Sequence, residues 1–471
     1  MRLRNEFSKA EFGDRRLEQR LLLIVEQFDG QPDKSYPEAA GGDAALEATY
    51  RFLNNSSVTP ERILSGHFAA SCERVRAVRR TVIAHDSTEL SFKRPSMGTL
   101  GEGRRGFLGH FALAVGLDGG QRVPLGVVAM ETVLRDPVEQ RGRPRRNTHR
   151  RHRAKDSEEL RWWRTVDLVE RRLGEHSGAI HVMDREADGY ELFARLIEAR
   201  YRFVIRTYYD RTTVPDEEQK ISRRRAKSWP RMTDLLKKTP ALLKVEVPLS
   251  PRRKVTQANK VKPAREARVA TLEYVACAME IAQPFWTPID GPTSLQVNVV
   301  QVREVNPPAD CEPVEWRLIT TEPVETSDDV IAVIDAYRAR WVIEEYFRAL
   351  KQGCAYEKRQ LENQHAIINA LAIFVPMAWD LLALRTAARV APDAQASTVI
   401  DDFKLGLLKR HPKLRLSQQP TARDVMLAVA QLGGHIRNNG EPGWIVLGRG
   451  FERLLILEEG ALLSSGICDQ S

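Results

Sequence analysis

The stretch DDVIAVIDAYRARWVIEEYFRALKQ (Asp328–Gln352) organises the reading of this chain. Thr326 and Ser327 are cap candidates before it, Asp328 and Asp329 occupy the first turn where the helix dipole favours anions, and Gly353 follows the last turn. The pattern predicts one helix roughly 37 Å long. At 3.6 residues per turn, Tyr337, Arg340, Glu344 and Lys351 fall within an arc of about 60°. One carboxylate, two cations and a phenol would share a stripe. A solvated helix face with mixed charges is the ordinary alternative.

Outward from this helix, bulk composition bounds the possibilities. The chain has 471 residues, 42% apolar and 29% charged, as in a globular protein of two to four domains. Lys and Arg number 72 against 63 Asp and Glu, a formal charge of +9 that suits a polyanionic partner. The first twenty residues are too polar for a signal peptide, and no run is expected to reach the ~18 apolar residues of a membrane span, so a cytoplasmic protein is expected. Five scattered cysteines without C-x-x-C spacing argue for free thiols and against a zinc site or a disulfide framework.

Local patterns give a coarse element order. Three helices are expected within residues 8–78, carrying Arg20 and Arg51 among other basic residues on their faces. Thr81–Phe92, His110–Leu117 and Val123–Leu134 read as an antiparallel meander broken by Asp118-Gly119-Gly120. The basic segment Glu139–Lys155 reads as an exposed loop. A helix over Glu158–Leu173, a strand at Ala179–Met183, a helix over Asp188–Arg200 and a strand at Tyr201–Thr207 then imply βαβ crossovers. Residues 209–325 are β-rich, which predicts an inserted β-domain. After Gln360 the chain is helical again.

Asp86 lies within the first strand of the meander, Asp184 just after the strand ending at Met183, and Glu344 on the long helix. A meander, a βαβαβ run and a helix is the layout of a ribonuclease-H-like core, a mixed five-stranded sheet with helices on both faces, and it would let the three carboxylates converge. Mg²⁺ takes oxygen ligands, and carboxylates clustered without metal would repel one another. Taken singly, Asp86 could instead cap a turn or pair with an arginine, and Asp188 reads as the N-cap of its helix.

Tyr337-x-x-Arg340-x-x-x-Glu344 with Lys351, Asp184-Arg185-Glu186-Ala187-Asp188, and Ala84-His85-Asp86-Ser87-Thr88 resemble the three motifs of bacterial DDE transposases of the insertion sequence 4 family. Phe12-Gly13-Asp14-Arg15-Arg16 and Tyr50-Arg51-Phe52-Leu53 are similar to that family's DNA-end-binding region. The resemblance implies a transposase that cuts transposon ends and transfers strands into target DNA, working as a homodimer on double-stranded DNA. It implies Asp86, Asp184 and Glu344 as catalytic ligands of two Mg²⁺ ions, with Mn²⁺ able to substitute. Tyr337, Arg340, Lys351 and Arg206 would hold phosphates, and Arg20 and Arg51 would contact the DNA end. Trp316 would stack on a flipped base, or else serve as a core tryptophan of the β-domain. The implied domains are a helical end-binding domain (1–78), a catalytic core (79–208) continued by the long helix (326–360), an inserted β-rich domain (209–325) and a helical dimerisation domain (361–471). A nuclease without strand transfer and an inactive DNA-binding derivative are the alternatives.

Overall fold

A computed structural model describes residues 2–29, 35–40, 42–93, 98–101, 104–135, 160–174, 177–215, 229–251, 255–257, 260–262, 264–284, 291–309, 311–436 and 440–464. The basic segment Glu139–Lys155 lies outside them. In chain order the elements are α1 (Arg2–Phe7), α2 (Arg15–Asp29), α3 (Tyr36–Ala39), α4 (Asp43–Asn54), α5 (Pro60–Arg76), β1 (Thr81–Phe92), β2 (Thr99–Gly101), β3 (Arg104–Asp118), β4 (Gln121–Val133), α6 (Leu160–Leu173), β5 (Ile180–Met183), α7 (Tyr190–Glu198), β6 (Arg202–Thr207), α8 (Met232–Lys238), β7 (Leu243–Leu249), β8 (Val255–Gln257), β9 (Lys260–Lys262), β10 (Arg268–Ala282), β11 (Ser294–Glu304) and β12 (Glu315–Thr320). The helices α9 (Ser327–Ala339), α10 (Trp341–Arg348), α11 (Gln364–Val390), α12 (Asp402–Arg410), α13 (Ala422–Leu432) and α14 (Trp444–Ser464) follow. They form two compact units: Met1–Arg143 with Asp167–Ser177 and Trp341–Ser471, and Pro144–Val166 with Gly178–Arg340.

In the first unit β3 pairs antiparallel with both β1 and β4, and β2 joins its leading end. Gly119 and Gly120 make the β3–β4 turn with φ of 53° and 79°, left-handed values that twist a two-residue hairpin correctly. The helix α11 packs on β4 and α5 and is buried along most of its length. It overturns the expectation that no stretch is apolar enough to span a membrane. Its length and mean hydropathy of 2.0 suffice, and 89% of that apolar window is buried inside the protein, as in a core helix.

The amino-terminal helix is fastened to this core by a buried polar knot. Glu6 on α1 accepts hydrogen bonds from Arg74 (Oε1–Nη1 2.8 Å) and from His67 Nδ1 (2.5 Å), both on α5. His67 Nε2 in turn accepts from the Val127 N–H on β4 (3.1 Å), which fixes a neutral tautomer. Burial pushes the His67 imidazole below its ordinary value. Burial alone would raise the Glu6 carboxyl, but hydrogen bonds from His67 and Arg74, with the Arg74 charge, hold it at about 2. Arg74 also lies over the Trp379 ring of α11 at 4.1 Å.

In the second unit the strand order is β5-β6-β12-β11-β10-β7. β5 and β6 are parallel and joined through α7, and the other pairs are antiparallel. The sheet, expected to be five-stranded and to end with β6, continues into the β-rich stretch: β12 pairs with β6, with Leu318 opposite Arg206 and Ile319 opposite Ile205. Leu318, Ile319 and Ile205 are fully buried, and the pairing uses backbone groups that an edge strand would leave open. A core of Trp162, Phe193, Phe203, Val275, Val299 and Ile319 lies beneath.

The predicted helix over Asp328–Gln352 is interrupted. Thr326 caps α9 by accepting from the Asp329 N–H (3.1 Å) while Asp329 accepts from the Thr326 N–H (2.9 Å). The helical ladder breaks at Arg340, where the chain passes from one unit to the other, and Ala349–Gly353 closes α10 with a π-turn. A wider turn advances each residue by less than 100°, so the single 60° arc calculated for Lys351 does not hold.

Candidate functional site

The second unit gathers several expected site residues at the carboxyl ends of its parallel strands. The register runs from Ile180 opposite Arg202 to Met183 opposite Ile205, so Asp184 and Arg206 are the next residues on adjacent strands. Such ends are where open α/β sheets place their ligand-binding loops. Asp184 is half-buried and caps a short 3₁₀ turn, its Oδ1 accepting from the Glu186 N–H at 2.8 Å. Tyr337 on α9 is buried, which raises its phenol above the ordinary value. The cations Arg340 and Arg206 oppose that rise, Arg206 through a hydrogen bond as well, and the Asp184 carboxylate adds to it. Arg340, Arg206 and Asp184 therefore all lie within electrostatic reach of the Tyr337 phenol. Trp316 shares a face of β12 with Leu318, and its ring lies 5.5 Å from that of Tyr337 at 31°. It is half-buried against this tyrosine.

Asp188 has a different role from the helix cap expected of it. Gly189 is the residue preceding α7, while Asp188 is buried and ion-paired to buried Arg211. Its Oδ2 accepts from Thr207 Oγ1 (2.8 Å) and from the N–H groups of Tyr208 (2.6 Å) and Tyr209 (2.8 Å). The carboxylate thus ties the loop after β5 to the loop after β6. Sequence reasoning missed this pin; the Asp188–Arg211 pair carries no short spacing to reveal it.

The first unit carries the remaining members. Asp86 sits half-buried on β1, its Oδ1 accepting from the Ser87 N–H at 2.8 Å. Across the sheet the Ser87 hydroxyl meets His110 Nδ1 at 2.9 Å, and the His85 and His110 rings stack at 6.0 Å. Glu344 is half-buried on α10, which packs on β1. Tyr346 and Phe347 hold that helix by edge contacts to Phe111 at 5.7 and 5.6 Å. Lys351, in the π-turn, donates to the Glu89 carbonyl on β1 at 2.5 Å. Arg51 is exposed on α4 and paired with Glu47, and Arg20 is half-buried on α2.

Among the described residues no three His, Cys, Asp or Glu side chains stand close enough together to hold a metal ion. The donor chemistry of Asp86, Asp184 and Glu344 nonetheless suits a hard divalent cation, since all are carboxylates and each aspartate is oriented by a nearby N–H.

Residues 2–58 match the family model described as transposase DNA-binding. Residues 78–375, more than half of the chain, match that described as transposase DDE domain. Arg20 and Arg51 fall in the first match, and Asp86, Asp184, Arg206, Trp316, Tyr337, Arg340, Glu344 and Lys351 in the second. Domains of the second kind generally use divalent metal ions.

Proposed function

This chain belongs to the DDE transposases and is a DNA transposase, and from that premise we propose which residues cut and join DNA. Asp86, Asp184 and Glu344 would hold the divalent ions once these are bound, two Mg²⁺ with Mn²⁺ as a substitute. A bound ion of this kind supplies Lewis-acid polarisation of a phosphodiester oxygen and lowers the pKa of a bound water. Arg206, Arg340 and Lys351 hold phosphates, arginine offering a planar fork and lysine a point charge. Tyr337 adds a phosphate contact through its hydroxyl, and Trp316 stacks on a flipped base. Arg20 and Arg51 contact the transposon end. Support comes chiefly from Asp184, Arg206, Tyr337 and Arg340, which share one electrostatic neighbourhood at the strand ends.

The finer assignment is to the insertion sequence 4 family, with a ribonuclease-H-like core and a homodimer on the transposon ends, in the cytoplasm. Within that reading residues 1–78 bind ends, 79–208 and 326–360 form the core, 209–325 are the β-rich insertion and 361–471 dimerise. Strand nicking on DNA bearing the element's own terminal repeats, with Mg²⁺ present, tests the residue roles. Asp184→Asn and Glu344→Gln should each abolish nicking while end binding persists; undiminished nicking refutes them. Precleaved ends that are never joined to target DNA would reduce the activity to a nuclease, and tight end binding without any cleavage would mark an inactive derivative.

A further inference from the structure

Tyr208 and Tyr209 follow β6 directly and are 59% and 55% exposed. Large aromatic side chains seldom stand side by side in water, because their bodies gain from burial. Here their positions are fixed from the backbone outward. Both N–H groups are held by Asp188 Oδ2, and Thr207 Oγ1 bridges to the Tyr209 carbonyl at 3.0 Å. Arg211, buried and paired to Asp188, has its guanidinium 4.9 Å from the Phe193 ring and 5.9 Å from that of Tyr209. The two tyrosine rings meet edge to face, 5.4 Å apart at 86°. They are thus solvent-facing aromatic surfaces on a loop pinned by a buried ion pair, two and three residues beyond Arg206.

We propose that Tyr208 and Tyr209 form a second stacking platform, distinct from Trp316, for an unstacked nucleobase of the DNA substrate. The proposal rests on the transposase reading for its partner. A ring held in place before binding loses little conformational freedom when a base stacks on it, and stacking tolerates any base because each has a π face. The loop after β5, which carries Asp184, is tied to the same Asp188. A base held on this platform would therefore be held relative to a residue proposed to act at the scissile phosphate.

The test uses the full-length chain and a duplex containing one unpaired 2-aminopurine, followed by fluorescence quenching and anisotropy. Tyr208→Ala with Tyr209→Ala should weaken binding about 5- to 150-fold, the equivalent of about 1–3 kcal/mol for one stacked base, and should relieve quenching. The corresponding phenylalanine variants should bind and quench as the native chain does. An abasic version of the duplex should bind native and alanine chains equally. Because main-chain N–H groups hold the loop, the substitutions leave its pins in place, and an unchanged thermal melt verifies this. The proposal is overturned if the double alanine variant binds within twofold of the native chain with full quenching. It is also overturned if the phenylalanine variants lose as much as the alanine ones, which would assign the effect to the hydroxyls. An equal loss on abasic DNA overturns it too. None of these readouts needs cleavage, so a failure of the nicking roles leaves this result interpretable on its own.

Discussion

Replacing Glu6 by Gln keeps the side-chain shape and removes the charge at the centre of the α1–α5–β4 knot. The carboxyl is 4% exposed, so solvent screens it little. Its value falls from 4.5 to about 2 on folding, and at ~1.36 kcal/mol per unit the ionised group contributes about 3 kcal/mol at neutral pH. That figure sits at the lower end of the ~3–5 kcal/mol typical when one partner of a buried pair is removed. The folded value is depressed, so the contribution is complete above the unfolded value of 4.5 and is lost as pH falls toward 2. Glu6→Gln should therefore lower the melting temperature at pH 7 by on the order of 5–10 °C. The difference from the native chain should shrink to less than about half near pH 3. Scanning calorimetry of both chains at pH 7, 4.5 and 3 decides the matter. An unchanged Tm at pH 7, or a deficit of equal size at pH 7 and pH 3, would refute the reasoning.

Other substitutions test the remaining contacts. Asp188→Ala strands Arg211 in the core and should cost about 3–5 kcal/mol in chemical denaturation. Gly126 adopts φ +134° and an added Cβ would come 2.1 Å from Ser71 Oγ, so Gly126→Ala should destabilise by about 1–3 kcal/mol or more, read as a lower melting temperature. A Cβ at Gly448 would lie 2.4 Å from the Gly353 carbonyl, at the end of the π-turn that carries Lys351. Gly448→Ala should therefore slow nicking more than it weakens end binding in a gel-shift assay. Removing divalent ions with a chelator should abolish nicking, and Mg²⁺ should restore it.

Periodicity made much of the fold legible. The bounds of β1, and those of β6 to within one residue, follow from apolar runs between polar breaks, because local sequence decides them. Long-range pairing was less accessible. Nothing in Glu315–Thr320 announces that its partner is β6, since a strand's alternation states which face is buried and not which neighbour it meets. The break at Arg340 and the π-turn at Ala349–Gly353 were hidden for a related reason: helical spacing was continuous through both, and tertiary contacts set the local ladder. At the site, the motifs that resemble a known family singled out Asp184, Arg206, Tyr337 and Arg340, which the fold places near one another. Asp188 and the tyrosine pair were not legible, because their meaning lies in a bond between two loops.

The 27-residue helix α11 has a consequence during synthesis. As it leaves the ribosome it presents a greasy surface that the membrane-insertion machinery also recognises. Of its packing partners, α1, α4, α5, β4 and α10 precede it in translation order and α13 follows. The emerging segment can therefore dock onto polypeptide already made, and shortening the amino-terminal helices would leave it open to misrouting or aggregation before the chain is finished.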